Sequence, residues 1–123
     1  GSKSLEGLTR LKVCSNKLGD GGVVALSSAS FASNLKELDL SFNAIGAEGA
    51  KALAGSLRSK PLVKLDLNWN KIDDEGALAI ANAPFAGNLT HLDLSSNPIS
   101  KETQEKIIGE SALSQKVARA AFR

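Results

Sequence analysis

Apolar and polar positions along this chain fall into short bursts of two kinds, and the two kinds take turns. In Leu35-Lys36-Glu37-Leu38-Asp39-Leu40 the residues around Leu38 and Leu40 alternate with period two, which predicts a brief strand with one buried face. Gly46 to Ala54 follows, rich in helix formers, with Ala50, Leu53 and Ala54 three and four apart. That spacing predicts a helix packed back on the strand. Asp73 to Ala81 repeats the helical pattern. The bursts also keep one step. Leu8, Leu35, Leu62 and Leu89 are 27 residues apart. Leu11, Leu38, Leu65 and Leu92 keep the same step, as do Val13, Leu40, Leu67 and Leu94. So do Asn16, Asn43, Asn70 and Asn97, and Leu18, Ile45, Ile72 and Ile99. Positions held in register over four units mark an internal repeat. One strand and one helix cannot bury their own apolar face, but stacked copies share a core.

The unit Leu-x-x-Leu-x-Leu-x-x-Asn-x-Leu/Ile, as in Leu35 to Ile45, resembles the leucine-rich-repeat signature. The helical half, Gly-x-x-Gly-Ala-x-Ala-Leu at Gly46 to Leu53, is similar to the ribonuclease-inhibitor-like branch of that family. A fainter doubled period agrees with alternating unit types in that branch. Units one and three end in Ser30-Phe31-Ala32-Ser33-Asn34 and Pro84-Phe85-Ala86-Gly87-Asn88, whereas unit two ends in Leu57-Arg58-Ser59-Lys60-Pro61. The resemblance implies an α/β fold, a right-handed solenoid forming a horseshoe segment, with a parallel sheet on the concave side and helices on the convex side. It also implies that Asn16, Asn43, Asn70 and Asn97 sit inside the turns and bond backbone groups of their own and the adjacent coil. Ribonuclease inhibitor is itself cysteine-rich with many more repeats, so its ligand is not implied here.

The expected organisation is a tag remnant and lead-in over 1–7, repeats at 8–34, 35–61, 62–88 and 89–108, and a C-terminal capping helix over 109–123. In units one to three the helix carries Gly22/Val23, Gly49/Ala50 and Gly76/Ala77, small enough for close helix approach. Unit four has Thr103/Gln104 there and Lys106 in place of Ala25, Ala52 and Ala79, so the array is expected to end, with Leu113, Val117, Ala120 and Ala121 as the stripe of a lid. Residues 3–7 are too few for an N-terminal cap. Either preceding sequence is missing, the reading favoured here, or the bare first unit invites self-association.

Composition narrows the setting. A net charge of +2 is too small to argue for nucleic acid or an anionic membrane, and no apolar run approaches a membrane span. Cys14 is the only cysteine, which favours a reducing, cytoplasmic setting. Asn88-Leu89-Thr90 matches the glycosylation acceptor pattern, but Leu89 is a core position of the repeat.

Three motifs suggest chemistry and lose it on alignment. Gly19-Asp20-Gly21-Gly22 looks like a phosphate loop, yet it shares its register with Gly46 to Gly49 and lacks the following Lys-Ser/Thr. His91, Asp93, Ser95 and Ser41 would sketch a triad, but on an open sheet that does not exclude water. One Cys and one His cannot supply zinc, and a flat ladder lacks the converging oxygens that calcium takes. No catalytic residue, cofactor or metal is expected, and the chain reads as a non-enzyme.

Function is expected on the residues between the buried leucines. The position before the second leucine reads Arg10, Glu37, Lys64, His91, and the one after it Lys12, Asp39, Asp66, Asp93. Next come Cys14, Ser41, Asn68, Ser95, and then Ser15, Phe42, Trp69, Ser96. Asp39, Asp66 and Asp93 form an acidic stripe whose members repel by roughly 1 kcal/mol at about 5 Å in water. Glu37 adds to the stripe, while Lys64 and His91 partly offset it, and a basic partner would offset it further. Phe42 and Trp69 are expected side by side, either covering the core edge or serving as anchors for another protein. The leading expectation is a protein-interaction module using Phe42, Trp69, Asp39, Asp66, Asp93, Glu37, Lys64 and His91. The alternative is an architectural or regulatory segment of a larger receptor, effector or scaffold, with GTPase regulation as a weaker option.

Overall fold

A computed structural model describes residues 9–13, 17–28, 34–56 and 62–122. Strands β1 (Arg10–Lys12), β2 (Glu37–Asp39), β3 (Lys64–Asp66) and β4 (His91–Asp93) alternate with helices. These are α1 (Gly19–Ser27), α2 (Ala47–Ser56), α3 (Asp74–Ala81) and α4 (Lys101–Glu110). A short final helix, α5, spans Gln115–Ala120. The strands form one parallel sheet in the order β1-β2-β3-β4, with Leu11, Leu38, Leu65 and Leu92 as direct neighbours. The 27-residue step is therefore the stacking step of an α/β solenoid. Cys14, Asn16, Leu8 and the expected lead-in over 1–7 lie outside the described residues, as do most of the unit ends that carry the doubled period.

The core lies between sheet and helices. Leu38, Leu40, Leu65, Leu67, Leu92 and Leu94 are buried, and from the other side come Ile45, Ile72, Leu53 and Ile80. Each such side chain contributes about 1.5–3 kcal/mol on leaving water. Leu89, centre of the acceptor tripeptide, is buried with them.

The asparagines stitch coil to coil. Asn70 Oδ1 accepts from the backbone N–H groups of Asn43 and Ile45 at 2.9 and 3.0 Å. Its Nδ2 donates to the carbonyls of Leu40, Leu67 and Asn68. Asn43 donates to Val13, Leu40 and Ser41 and accepts from Leu18. Asn97 repeats the arrangement one coil on. Each side chain thus bonds backbone groups of two coils at once.

The helices approach closely where glycine permits. A Cβ on Gly76 would stand 3.1 Å from Ala50 Cβ and 3.3 Å from Ala47 Cα. On Gly49 it would meet Asp20 Oδ1 at 2.6 Å. Both glycines face the preceding coil, which corrects the reading of Thr103. Thr103 is buried toward the third coil rather than forming an outer polar surface, and α3 and α4 accordingly touch more sparsely than the earlier helix pairs.

Two aspartates link neighbouring coils through helix starts. Asp20, inside the false phosphate loop, accepts from the N–H groups of Gly46 and Gly49 at 2.7 and 3.0 Å, covering donors at the start of α2. Asp74 does the same one double step later, accepting from Ser100 N at 2.6 Å and Ser100 Oγ at 2.8 Å. These bonds hold the Asp74 carboxyl below its ordinary range. Between them α3 is capped by its own Asp73, which accepts from Gly76 N at 3.0 Å. α4 likewise has its own cap, Ser100 Oγ accepting from Thr103 N at 3.2 Å, so it is the cross-coil aspartate links that recur with a two-coil period.

The C-terminal cap differs from the expected helix over 109–123. Residues up to Glu110 belong to α4, and only Gln115–Ala120 is a separate helix, begun by Ser114 accepting from Val117 N. Its buried residues are Leu113, Val117, Ala118 and Ala121, while Ala120 is exposed. The reason is the face presented: the segment docks on the edge of β4, and the Ala121 carbonyl accepts from Leu94 N at 2.7 Å. It takes the part that the carbonyls of Asp39, Asp66 and Asp93 play for Val13, Leu40 and Leu67. A loop carbonyl stands in for a fifth strand.

Candidate functional site

Across the exposed face of the sheet the strands carry two rows in register. One is Arg10, Glu37, Lys64 and His91, and the other Lys12, Asp39, Asp66 and Asp93. All of these except Asp93 line a shallow groove of about 470 Å³. Arg10 Nε lies 3.9 Å from Glu37 Oε2, with both side chains well exposed, so this pair adds little.

The carboxylates have a structural half and an open half. Asp39 Oδ1 accepts from Ser41 N at 3.0 Å and Ser41 Oγ at 2.7 Å. Asp93 Oδ1 accepts from Ser95 N at 2.9 Å and Ser95 Oγ at 2.5 Å. These bonds close the turn leaving each strand. Asp66 is poorer: it accepts from Asn68 N at 3.2 Å, and Asn68 has no hydroxyl to add. Burial, assisted by Asp39 and Asp93, pushes the Asp66 carboxyl up, against the opposing influence of the Asn68 N–H and His91. Asn68 Oδ1 is itself buried and has no hydrogen-bond partner among the described residues. Sequence reasoning placed Asn68 in its row but found no role for it. The available signal was an amide standing where Ser41 and Ser95 carry hydroxyls.

Beyond the carboxylates stand the aromatic rings. Phe42 and Trp69 stack with centroids 5.7 Å apart and planes 10° from parallel. They are 48% and 58% exposed, too open to act mainly as a lid on the core. Their backbones are left-handed, with φ of 61° and 55°, and Ser96 shares this at 59°. The turn into the buried asparagine imposes that conformation on whatever residue stands there. For a side chain with a Cβ it costs about 1–2 kcal/mol, and bulky residues avoid it. Two rings therefore occupy positions that glycine or asparagine would fill at lower cost.

The triad geometry does not assemble. Both serine hydroxyls donate to aspartates on their own strands, and among the described residues no hydrogen bond joins either to His91. Nor do the described residues gather three His, Cys, Asp or Glu side chains in a way that would hold a metal. Cys14 and Ser15, at the end of these rows, lie outside the described residues.

No curated protein matches the chain. The family model described as Leucine Rich repeat matches residues 8–27, 32–54, 58–81 and 88–102. Each of these four segments covers a strand position and the start of the following helix in one coil, and the chain belongs to the leucine-rich-repeat family.

Proposed function

We propose that this chain is a non-catalytic protein-recognition module whose concave sheet face docks a protein with a basic surface. Leucine-rich repeats generally mediate protein–protein interaction. The observation that carries the reading here is the exposed Phe42–Trp69 stack beside the Asp39, Asp66 and Asp93 row. Aromatic side chains lose little conformational entropy on contact and dominate binding energy when a partner covers them. Carboxylates in a row attract a complementary surface and speed its arrival. Glu37, Lys64 and His91 border the groove and would adjust register rather than supply most of the affinity.

The 27-residue step and the alternating cross-coil links of Asp20 and Asp74 support placement in the ribonuclease-inhibitor-like branch. The single cysteine supports a cytoplasmic setting, and none of the described helices is long and apolar enough to cross a membrane. Self-association through the first coil is a separate proposal, read out by solution mass.

The test is capture from native extract by wild type, by Phe42→Ala/Trp69→Ala, and by Lys51→Ala. Lys51 lies on the helical side, paired with Glu75. The concave reading expects a protein retained by wild type and Lys51→Ala and lost with the ring pair, at unchanged circular dichroism. Silent ring substitutions would instead favour the architectural alternative and overturn the concave reading.

A further inference from the structure

The concave face is polarised. The row at the strand starts is of mixed sign, while the next row carries three carboxylates and leads, three residues on, to the rings. Only that second flank combines negative charge with aromatic surface. It is also rich in acceptors and short of donors. The Ser41 and Ser95 hydroxyls are spent on Asp39 and Asp93, and the Asn68 amide oxygen is buried out of a partner's reach, so the carboxylates are the acceptors this flank offers. A surface of this kind suits a planar cation that only donates.

The ring stack has a direction. Phe42, Trp69 and Ser96 share one backbone conformation in successive coils, so the stack runs along the solenoid and stops where the third ring would stand. Ser96 is exposed, and the Trp69 face turned toward it carries no third ring. The centroid spacing of 5.7 Å within the pair leaves no slot for a guest between the rings. The place for a flat group is over Ser96.

Resting on the concave-face reading, we infer that an arginine of the partner occupies this place, its guanidinium stacked on Trp69 and hydrogen-bonded to Asp93 and Asp66. Neighbouring strands are about 4.8 Å apart, a spacing at which a guanidinium can meet both carboxylates with donors on two of its edges. Trp69 follows Asp66 by three residues, so the ring and the carboxylates stand at the same end of the sheet. Lysine fits less well, because its compact ammonium holds its water more tightly and lacks a plane to stack.

Trp69 is the only tryptophan and reports directly. The probes are a glycine-flanked peptide carrying one arginine, its lysine version and its uncharged citrulline version, titrated to millimolar concentration against Trp69 emission. The arginine peptide is expected to give a saturable change, the lysine peptide to bind roughly tenfold more weakly, and citrulline to give none. Asp93→Asn keeps the acceptor that Ser95 uses and is expected to weaken the arginine peptide roughly tenfold. Asp39→Asn, on the Phe42 side, is expected to weaken it less, through the lost charge alone. Ser96→Phe fills the third place in the stack without altering charge and is expected to abolish the response. Equal binding of arginine and lysine, equal effects of Asp39→Asn and Asp93→Asn, or an unaffected Ser96→Phe would each overturn the inference. Loss of protein capture in the ring pair but not in Ser96→Phe would remove the arginine site alone and leave the concave reading standing.

Discussion

Two ladders of identical residues run through this solenoid a few ångströms apart, and they differ in what holds them. Asn43, Asn70 and Asn97 face inward, and their amides engage backbone groups of two coils at once. Asp39, Asp66 and Asp93 face outward in direct register, with one oxygen of each committed to its own turn. The inner ladder gains from repetition, because each added coil supplies an amide that bonds the backbone of the coil before it. The outer ladder loses by it, because each added coil brings another like charge. Repetition that stabilises reports on the fold, whereas repetition tolerated at a cost leaves room for a function elsewhere. Phe42 and Trp69, in left-handed positions, belong with the second kind.

The largest expected effect tests the inner ladder. Asn70→Ala would take the side-chain acceptor from the N–H groups of Asn43 and Ile45, while the carbonyls of Leu40, Leu67 and Asn68 keep donors in Asn43, Asn97 and Phe42, and should cost about 3 kcal/mol, the upper end for orphaned buried groups. Thermal melting with a matched Asp66→Ala control separates the ladders. The inner substitution should lower the midpoint by several degrees and the outer one far less. A larger loss from Asp66→Ala would invert the comparison.

Next in size is the ring pair, where stability and binding should part company. Phe42→Asn/Trp69→Asn suits the left-handed backbone, regaining about 1 kcal/mol per position, and forfeits a stack worth about 0.5–1.5 kcal/mol. The unfolding free energy should therefore change by about 1.5 kcal/mol or less, whereas affinity for a concave-face partner should fall by about 2 kcal/mol or more. Denaturant melts beside binding isotherms check both. A strongly destabilised but binding-competent variant would return the rings to a packing role.

How much of this was legible follows from period. Leucines and asparagines at a constant step announced the strand register, because whatever recurs at 27 residues is brought side by side. What broke the period stayed hidden. The caps from Asp20 and Asp74 skip a coil at Ala47, so no single-step alignment points to them. Ala121 replaces a strand carbonyl with a loop carbonyl, a role that leaves no side-chain pattern, and Ala118 rather than Ala120 faces the core because the cap meets a sheet edge. The left-handed turns of Phe42 and Trp69 were concealed for another reason. Glycine or asparagine would have marked them, and aromatic residues do not. The acidic row and the ring pair were nevertheless visible as residues, though not the orphaned amide beside them.

That amide allows a finer test between coils of the outer ladder. Ser41 and Ser95 each give their aspartate a hydroxyl bond, and Asn68 does not. Asn68→Ser should supply the missing bond to Asp66 and remove the buried Oδ1, raising stability by about 0.5–1.5 kcal/mol. Thermal melting decides it, and a destabilised variant would show that the amide packs in a way the hydroxyl cannot replace.

The smallest effect is the pH dependence of the outer ladder. Asp66 is raised above its ordinary value by burial and by its neighbours Asp39 and Asp93, so near that value the folded chain holds its proton more firmly than the unfolded chain. Stability contributed by this proton is complete below the unfolded carboxyl pKa and is lost as pH rises through the higher folded one. Asp74 runs the other way: lowered by its bonds from Ser100, it adds stability above the unfolded value that is lost as pH falls through the folded one. Solvent screens both, so the net change for Asp66 is a few tenths of a kcal/mol. Asp66→Asn should flatten its part of the curve and make the protein slightly more stable at neutral pH. Melts of wild type and variant across the carboxylate range, at low salt, resolve the difference. If the variant lost stability at neutral pH instead, the carboxylate would be contributing through its bond to Asn68 more than it loses to its neighbours, and the outer ladder would have to be counted among the contacts that hold the fold.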